Sequence, residues 1–143
     1  YKAYYYKSFV NILLNNKKIC EILKSYDIII PVPIHNKRKK ERGYNQTALI
    51  VNDIAKKTTE LEYYDALVKV KNIVPQSTLR KEERKENSKN VYKLKADSER
   101  IIKNKKVLIF DDIYTTGATA EECAKAVKKA KPDKIGILTL AKD

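Results

Sequence analysis

VLIFDDIYTTGATAEE, residues 107–122, sets four apolar residues against two adjacent carboxylates, then packs three threonines and a glycine into residues 115–119. Val107 to Phe110 reads as a buried strand, because a short run of branched and aromatic side chains has no polar face to turn to water. Thr119 to Lys131 reads as a helix. Ala120, Cys123, Ala124 and Val127 recur at helical spacing, Thr119 and Glu122 are placed for a capping box, and Pro132 follows the end. The stretch is a strand, a tight loop and a helix.

The loop carries the chemistry. If the strand continues through Asp111 and Asp112, their side chains leave on opposite sides, one toward a site and one toward a neighbouring element. Thr115, Thr116, Gly117, Ala118 and Thr119 lead into the helix start, where free backbone N–H groups and the positive end of the helix dipole cradle an anion. Gly117 lets the backbone approach closely, and the threonines add hydroxyl donors. The acids beside them cannot take a phosphate. They suit sugar hydroxyls or a magnesium ion. A phosphate next to a diol is a ribose 5-phosphate.

Other readings fail on spacing. A Walker loop needs a lysine after its glycine, but Ala118 follows Gly117, and no GxGxxG occurs. A receiver domain carries its acids early, whereas too little chain remains after Asp112. A turn with no ligand would leave adjacent acids at the end of a buried strand to no purpose.

Outward from this unit, DIIIPV, residues 27–32, reads as a buried strand, ALVKV, 66–70, as a second strand, and KIGILTLA, 134–141, as the last. Residues 8–24 and 45–57 have helical spacing, the first interrupted at Asn15-Asn16. The order implies one α/β domain, residues 1–143, with a mostly parallel central sheet flanked by helices. In such sheets ligands sit beyond the carboxyl ends of the strands. Loops 33–46 and 111–119 both start there. Two of only three glycines, Gly43 and Gly117, lie in them.

Composition bounds the rest. Of 143 residues 43% are hydrophobic, which excludes wholesale disorder despite 34% charged residues. No apolar run is long enough to span a membrane, and no signal peptide is visible, so a cytoplasmic protein with no membrane insertion is the expectation. The net charge of +13 favours polyanions or a plain solvated lysine surface. Cys20 and Cys123 are too few for a disulfide scaffold or a four-ligand zinc site, so no structural zinc is expected in this chain. The chain opens on Tyr1 and lacks methionine, which implies that sequence precedes it.

VLIFDDIYTTGAT, residues 107–119, resembles the signature of type I phosphoribosyltransferases, with Tyr114 where a smaller aliphatic residue is usual. That resemblance implies binding of 5-phosphoribosyl 1-pyrophosphate (PRPP), with Asp111 and Asp112 on the ribose hydroxyls and residues 115–119 on the 5-phosphate. PVPIHNKRKKERGYNQ, 31–46, and QSTLRKEERKEN, 76–87, are similar to two further blocks of the ComF family, bacterial proteins linked to DNA uptake in competence. Tyr44 stands there for the usual phenylalanine. Members of that family often carry a cysteine-rich zinc segment at the N-terminus, which this chain does not show.

The resemblance implies transfer of a phosphoribosyl group to an unidentified acceptor, with Mg2+ and release of pyrophosphate. A flexible loop, residues 75–95, would close over the substrate. Arg38 and Arg42, and Arg80 or Arg84 from that loop, suit the pyrophosphate through paired guanidinium hydrogen bonds. Lys37, Lys39 and Lys40 read as a solvated run, His35 as a loop residue, and Asn45 and Gln46 as a helix cap or loop brace. The competing reading is non-catalytic: a sensor of PRPP or a nucleotide, or an accessory that holds single-stranded DNA for competence proteins.

Overall fold

The computed structural model of the chain describes residues 5–34, 40–41, 43–70, 80, 82–83, 89–114 and 116–142. Helices α1 (Tyr5–Asn15) and α2 (Lys17–Lys24) open it, and Asn16 separates them by capping α2, its Oδ1 accepting from Ile19 N–H at 3.2 Å. Strand β1 (Ile28–Pro31), helix α3 (Gln46–Lys57) and strand β2 (Glu62–Tyr63) follow. A hairpin comes next, β3 (Leu67–Lys69) and β4 (Tyr92–Leu94), then the short helix α4 (Ser98–Ile102). Strand β5 (Lys106–Tyr114), helix α5 (Ala118–Lys128) and strand β6 (Lys134–Lys142) complete the chain.

The main sheet has the order β2-β1-β5-β6 with every pair parallel, Ile28 beside Val107 and Phe110 beside Leu138. Parallel strands inside such a sheet are covered on both faces, which is why β1 is uniformly apolar rather than alternating. On one face Ile29, Leu108 and Phe110 pack with Val10, Leu23, Ile50 and Ile54 from α1, α2 and α3. On the other, Ile28, Ile30, Val107 and Ile109 pack with Ile102, Cys123 and Val127 from α4 and α5, and with the hairpin. Each fully buried isoleucine or leucine contributes on the order of 1.5–3 kcal/mol. Asp27 fixes the entry of β1 against β5: its carboxylate accepts from Lys106 N–H, and its own N–H donates to Lys106 C=O, both at 2.8 Å. Gly136 leaves room for the Tyr26 phenol that lies on it, where a Cβ would collide with the hydroxyl.

Two expectations need correction. Residues 66–70 are not the second strand of the parallel sheet. Leu67, Val68 and Lys69 pair antiparallel with Leu94, Lys93 and Tyr92 in a separate two-stranded sheet. The place beside β1 belongs to the two-residue β2, which is too short to show any periodicity. The helix after the acids begins at Ala118, with Gly117 as its cap, so the capping box of Thr119 and Glu122 does not form. Glu122 pairs instead with Lys125 at 3.0 Å. Both corrections leave Val32 to Ile34 and the turn at Thr116 and Gly117 at the carboxyl ends of adjacent strands, β1 and β5.

Candidate functional site

Strand β5 runs past its apolar segment and through both acids to Tyr114, held there by β6, where Asp111 lies opposite Thr139 and Ile113 opposite Ala141. The alternation of a strand therefore divides the acids. Asp111 is half-buried and turns into a small hollow with Ile113, Tyr114, Gly117, Thr119, Ala120 and Thr139. Asp112 is exposed and does not line that hollow. Each carboxylate bends back on the next residue: Asp111 Oδ1 accepts from Asp112 N–H, and Asp112 Oδ1 from Ile113 N–H, both at 2.9 Å.

The turn into α5 depends on Gly117. Its φ of +81° is left-handed, a conformation that costs an L-residue about 1–2 kcal/mol. The Tyr114 ring also lies over it, with the hydroxyl 2.5 Å from where a Cβ would stand. Thr116 is exposed, and its Oγ1 accepts from Ala118 N–H at 3.4 Å. The first N–H groups of an α-helix have no partner within it. Here the first of α5, that of Ala118, is the one that Thr116 Oγ1 accepts, beside Gly117 and Thr119 of the hollow.

Near Asp111 and Thr119 lie residues that sequence reasoning missed. Tyr92, on β4 of the hairpin, lies beside Thr119, and burial is the main cause that raises its phenol pKa, with Cys123 and Asp111 adding to it. Burial, then Asp111, likewise raises the Cys123 thiol. Lys69, on β3, sits 5.9 Å from the Tyr92 ring centroid, and its charge opposes the shifts of Asp111 and Cys123. The signal for these residues was a lysine inside the apolar run ALVKV and a tyrosine beside Val91. Neither points to β5 until the hairpin is known.

Asp111 is pushed up to about 6, first by burial and then by the Asp112 carboxyl beside it. A carboxyl with a folded pKa above its unfolded value binds its proton more tightly in the folded state. Its stabilising contribution is complete below about pH 4 and is lost as pH rises through about 6. Thermal midpoints of the wild type should therefore fall between pH 4 and pH 6 relative to those of Asp111→Asn, a difference read by scanning calorimetry at matched ionic strength. If the two curves stay parallel, burial does not burden the Asp111 charge.

Of the residues singled out in the sequence, the structure gathers Asp111, Gly117 and Thr119 at one hollow, with Ala118 starting the helix behind it. It leaves Asp112 and Thr116 exposed at the margin. Thr115, Arg38, Arg42 and Arg84 lie outside the described residues, as do His35, Lys37 and Lys39. Arg80 N–H donates to Glu83 Oε2 at 2.9 Å. Asn45 both caps and braces: its Oδ1 accepts from Thr47 N–H at 3.1 Å while its amide donates to Val32 C=O at 3.3 Å. Cys20 and Cys123 are both free. Among the described residues no three or more His, Cys, Asp or Glu are grouped to hold a metal, and no helix is long and apolar enough to cross a membrane.

Comparison with known proteins bears on the family and the fold. A family model for the phosphoribosyl transferase domain matches residues 65–143, more than half of the chain. Competence protein F of Haemophilus influenzae is 32% identical over 120 residues, which are 84% of this chain and 52% of that protein. The DNA utilization protein YhgH of Escherichia coli K12 is 29% identical over 99 residues, 69% of this chain and 42% of that protein. The chain thus spans about half the length of these relatives. Among solved structures, the purine phosphoribosyltransferase of Pyrococcus horikoshii superposes with a TM-score of 0.50 at 23% identity, covering 96% of this chain and 73% of that one, a likeness of fold. The matched stretch contains the hairpin, both acids, the Gly117 turn and α5, and on that match the chain belongs to the phosphoribosyl transferase domain family of type I phosphoribosyltransferases and, with its competence-protein relatives, to the ComF family.

Proposed function

We propose that the chain binds PRPP and transfers its phosphoribosyl group to a nitrogen acceptor, releasing pyrophosphate. The carrying observation is the left-handed Gly117, which brings the start of α5 into the hollow that holds Asp111. The 5-phosphate would accept from the N–H groups of residues 117–119 and from the Thr116 and Thr119 hydroxyls, and the ribose hydroxyls would donate to Asp111 and Asp112. In the transfer the C1–O bond to pyrophosphate breaks, its electron pair leaves with pyrophosphate, and the acceptor nitrogen bonds C1 and releases its proton. The two carboxylates favour the positive charge that develops on the ribose ring. Arg38, Arg42 and Arg84 are proposed to face the leaving group.

Two adjacent carboxylates, with no third His, Cys, Asp or Glu grouped with them among the described residues, fit Mg2+ held jointly by protein and substrate phosphates. When bound, the ion would neutralise charge on the pyrophosphate.

Titration calorimetry with PRPP and Mg2+, alongside ribose 5-phosphate alone, tests the site. Both should bind and compete. Absence of heat with either ligand ends the proposal, and pyrophosphate release across a panel of nitrogen acceptors decides between transferase and sensor.

A second reading, binding of single-stranded DNA in the uptake of DNA by competent cells, draws on the relatives' names and on one observation. Lys103 and Lys105 before β5, Lys106 at its start, Lys131 before β6 and Lys134 at its start are all exposed. Asn104 N–H donates to Lys131 C=O at 3.0 Å and Asp133 N–H to Lys105 C=O at 2.8 Å, which holds the two lysine loops together. They lie at the amino edge of the sheet, opposite the hollow. Salt-dependent binding of oligo-dT, lost in Lys105→Glu/Lys131→Glu and kept in Asp111→Asn/Asp112→Asn, would support this reading.

A further inference from the structure

Strand β6 closes one end of the main sheet. β5 pairs with one side of it, and among the described residues no strand pairs with the other. It is nine residues long, Lys134–Lys142, against two for β2 at the opposite end. Every second residue of such an edge turns its N–H and C=O outward, where another strand can bond them. The side chains leave the edge only partly covered. Leu138 and Leu140 pack on the α1 and α2 face and Ile135 on the α5 face, but Ile137 is 42% exposed. From Ile135 to Ala141 the strand carries no charge. Lysines stand around that stretch instead: Lys134 and Lys142 at its ends, and Lys128, Lys129 and Lys131 ahead of it, all exposed. Asp133 is the one carboxylate from residue 128 to residue 142.

We infer that the open edge of β6 takes an extended peptide segment of a partner protein as an added strand, apolar in its middle and flanked by carboxylates. Backbone pairing supplies the attachment and the lysines supply the choice. Lysines on an edge ordinarily ward off pairing. Here they stand at the ends and leave the middle open, so they select a strand whose ends are acidic. A second copy of the chain fits worse. Each copy carries a net charge of +13, and an antiparallel pair centred on Leu138 would set Lys134 against Lys142 at both ends. A nucleic acid fits worse as well. Phosphates only accept hydrogen bonds, so they would leave the C=O groups of the edge unmatched and Ile137 uncovered, whereas a peptide backbone offers donors and acceptors in turn. This surface stands whether or not PRPP binds.

Fluorescence anisotropy tests the inference with a labelled peptide of alternating valine and threonine that has two glutamates at each end. Two relatives of it serve as controls: one with lysines for the glutamates, and one with the same glutamates but every central amide N-methylated, which keeps the charge and removes strand pairing. The first peptide should bind, and each control at least about tenfold less. Ile137→Glu, a change at an exposed side chain, should weaken the acidic peptide by about tenfold or more. Lys134→Glu/Lys142→Glu should exchange the preference, so that the lysine peptide binds better. Lys134 Nζ lies 4.8 Å from the Tyr26 ring centroid, so Lys142→Glu alone serves if the double variant fails to melt cooperatively. Asp111→Asn/Asp112→Asn should bind the peptide as the wild type does, which separates this surface from the PRPP proposal. Equal binding of the methylated peptide would mean charge attraction alone and overturns the inference. Absence of binding, indifference to Ile137→Glu, or a dimer in sedimentation that Ile137→Glu dissolves overturns it too, the last by giving the edge to a second copy.

Discussion

Asp111→Asn/Asp112→Asn is expected to weaken PRPP binding by at least about a hundredfold while raising the thermal midpoint at pH 7.5. Hydrogen bonds from ribose hydroxyls to a carboxylate are charge-assisted, each worth roughly 1.5–3 kcal/mol, so losing the charge at both positions removes about a hundredfold or more. The gain in stability has the opposite origin. Asp111 is half-buried with the Asp112 carboxyl beside it, and burial has already raised its pKa to about 6. Asparagine keeps the shape, can still accept from the Asp112 N–H, and carries no charge to desolvate. A change that improves folding and removes binding is the mark of a group retained for its ligand. Calorimetry with PRPP and Mg2+ reads the first effect and differential scanning the second. Affinity that survives the double change would place the ribose elsewhere on the rim. A midpoint that falls would mean that the acids hold β5 in place rather than burden it.

How much of this could be read from the residues depends on how many neighbours each position needs. Strand β1, the apolar part of β5 and helix α5 are legible because their signal is local: four buried residues in a row, or apolar residues three and four apart. Strand β2 is two residues long and carries no period, so the longer run at 66–70 was read as the second strand. That error hid Lys69 and Tyr92, whose approach to Asp111 and Thr119 exists only through the hairpin. The acids and the threonine loop were legible as chemistry, because carboxylates after a buried strand and hydroxyls at a helix start each need a ligand or a partner. The division of labour between the acids was legible only as alternation. Which one faces the hollow is decided by the register of β5 against β6, with Asp111 opposite Thr139. The cap of α5 was misread for a physical reason as well. A left-handed glycine redirects the chain without a side-chain hydrogen bond, so Thr119, two positions past the cap, is left beside Tyr92.

Gly117→Ala should lower stability by about 1–2 kcal/mol and abolish ribose 5-phosphate binding, and comparison with Gly43→Ala separates the two effects. Both glycines are left-handed, at φ +81° and +80°, so an added Cβ costs each a similar backbone strain. Their surroundings differ. A Cβ at Gly43 meets nothing within 4 Å, whereas at Gly117 it runs into the Tyr114 ring, 2.5 Å from the hydroxyl and 2.9 Å from Cζ. Tyr114 is partly exposed and able to swing outward, so the collision is relieved by moving the ring rather than by unfolding. What does not recover is the close approach of the backbone: a phosphate seated on the N–H groups at the start of α5 needs the space that the methyl group takes. The two alanine variants should therefore lose several degrees of thermal midpoint each, and only Gly117→Ala should lose ribose 5-phosphate in calorimetry. If both variants bind it equally well, the phosphate does not sit on this turn, and the acids of β5 must serve a ligand of another kind.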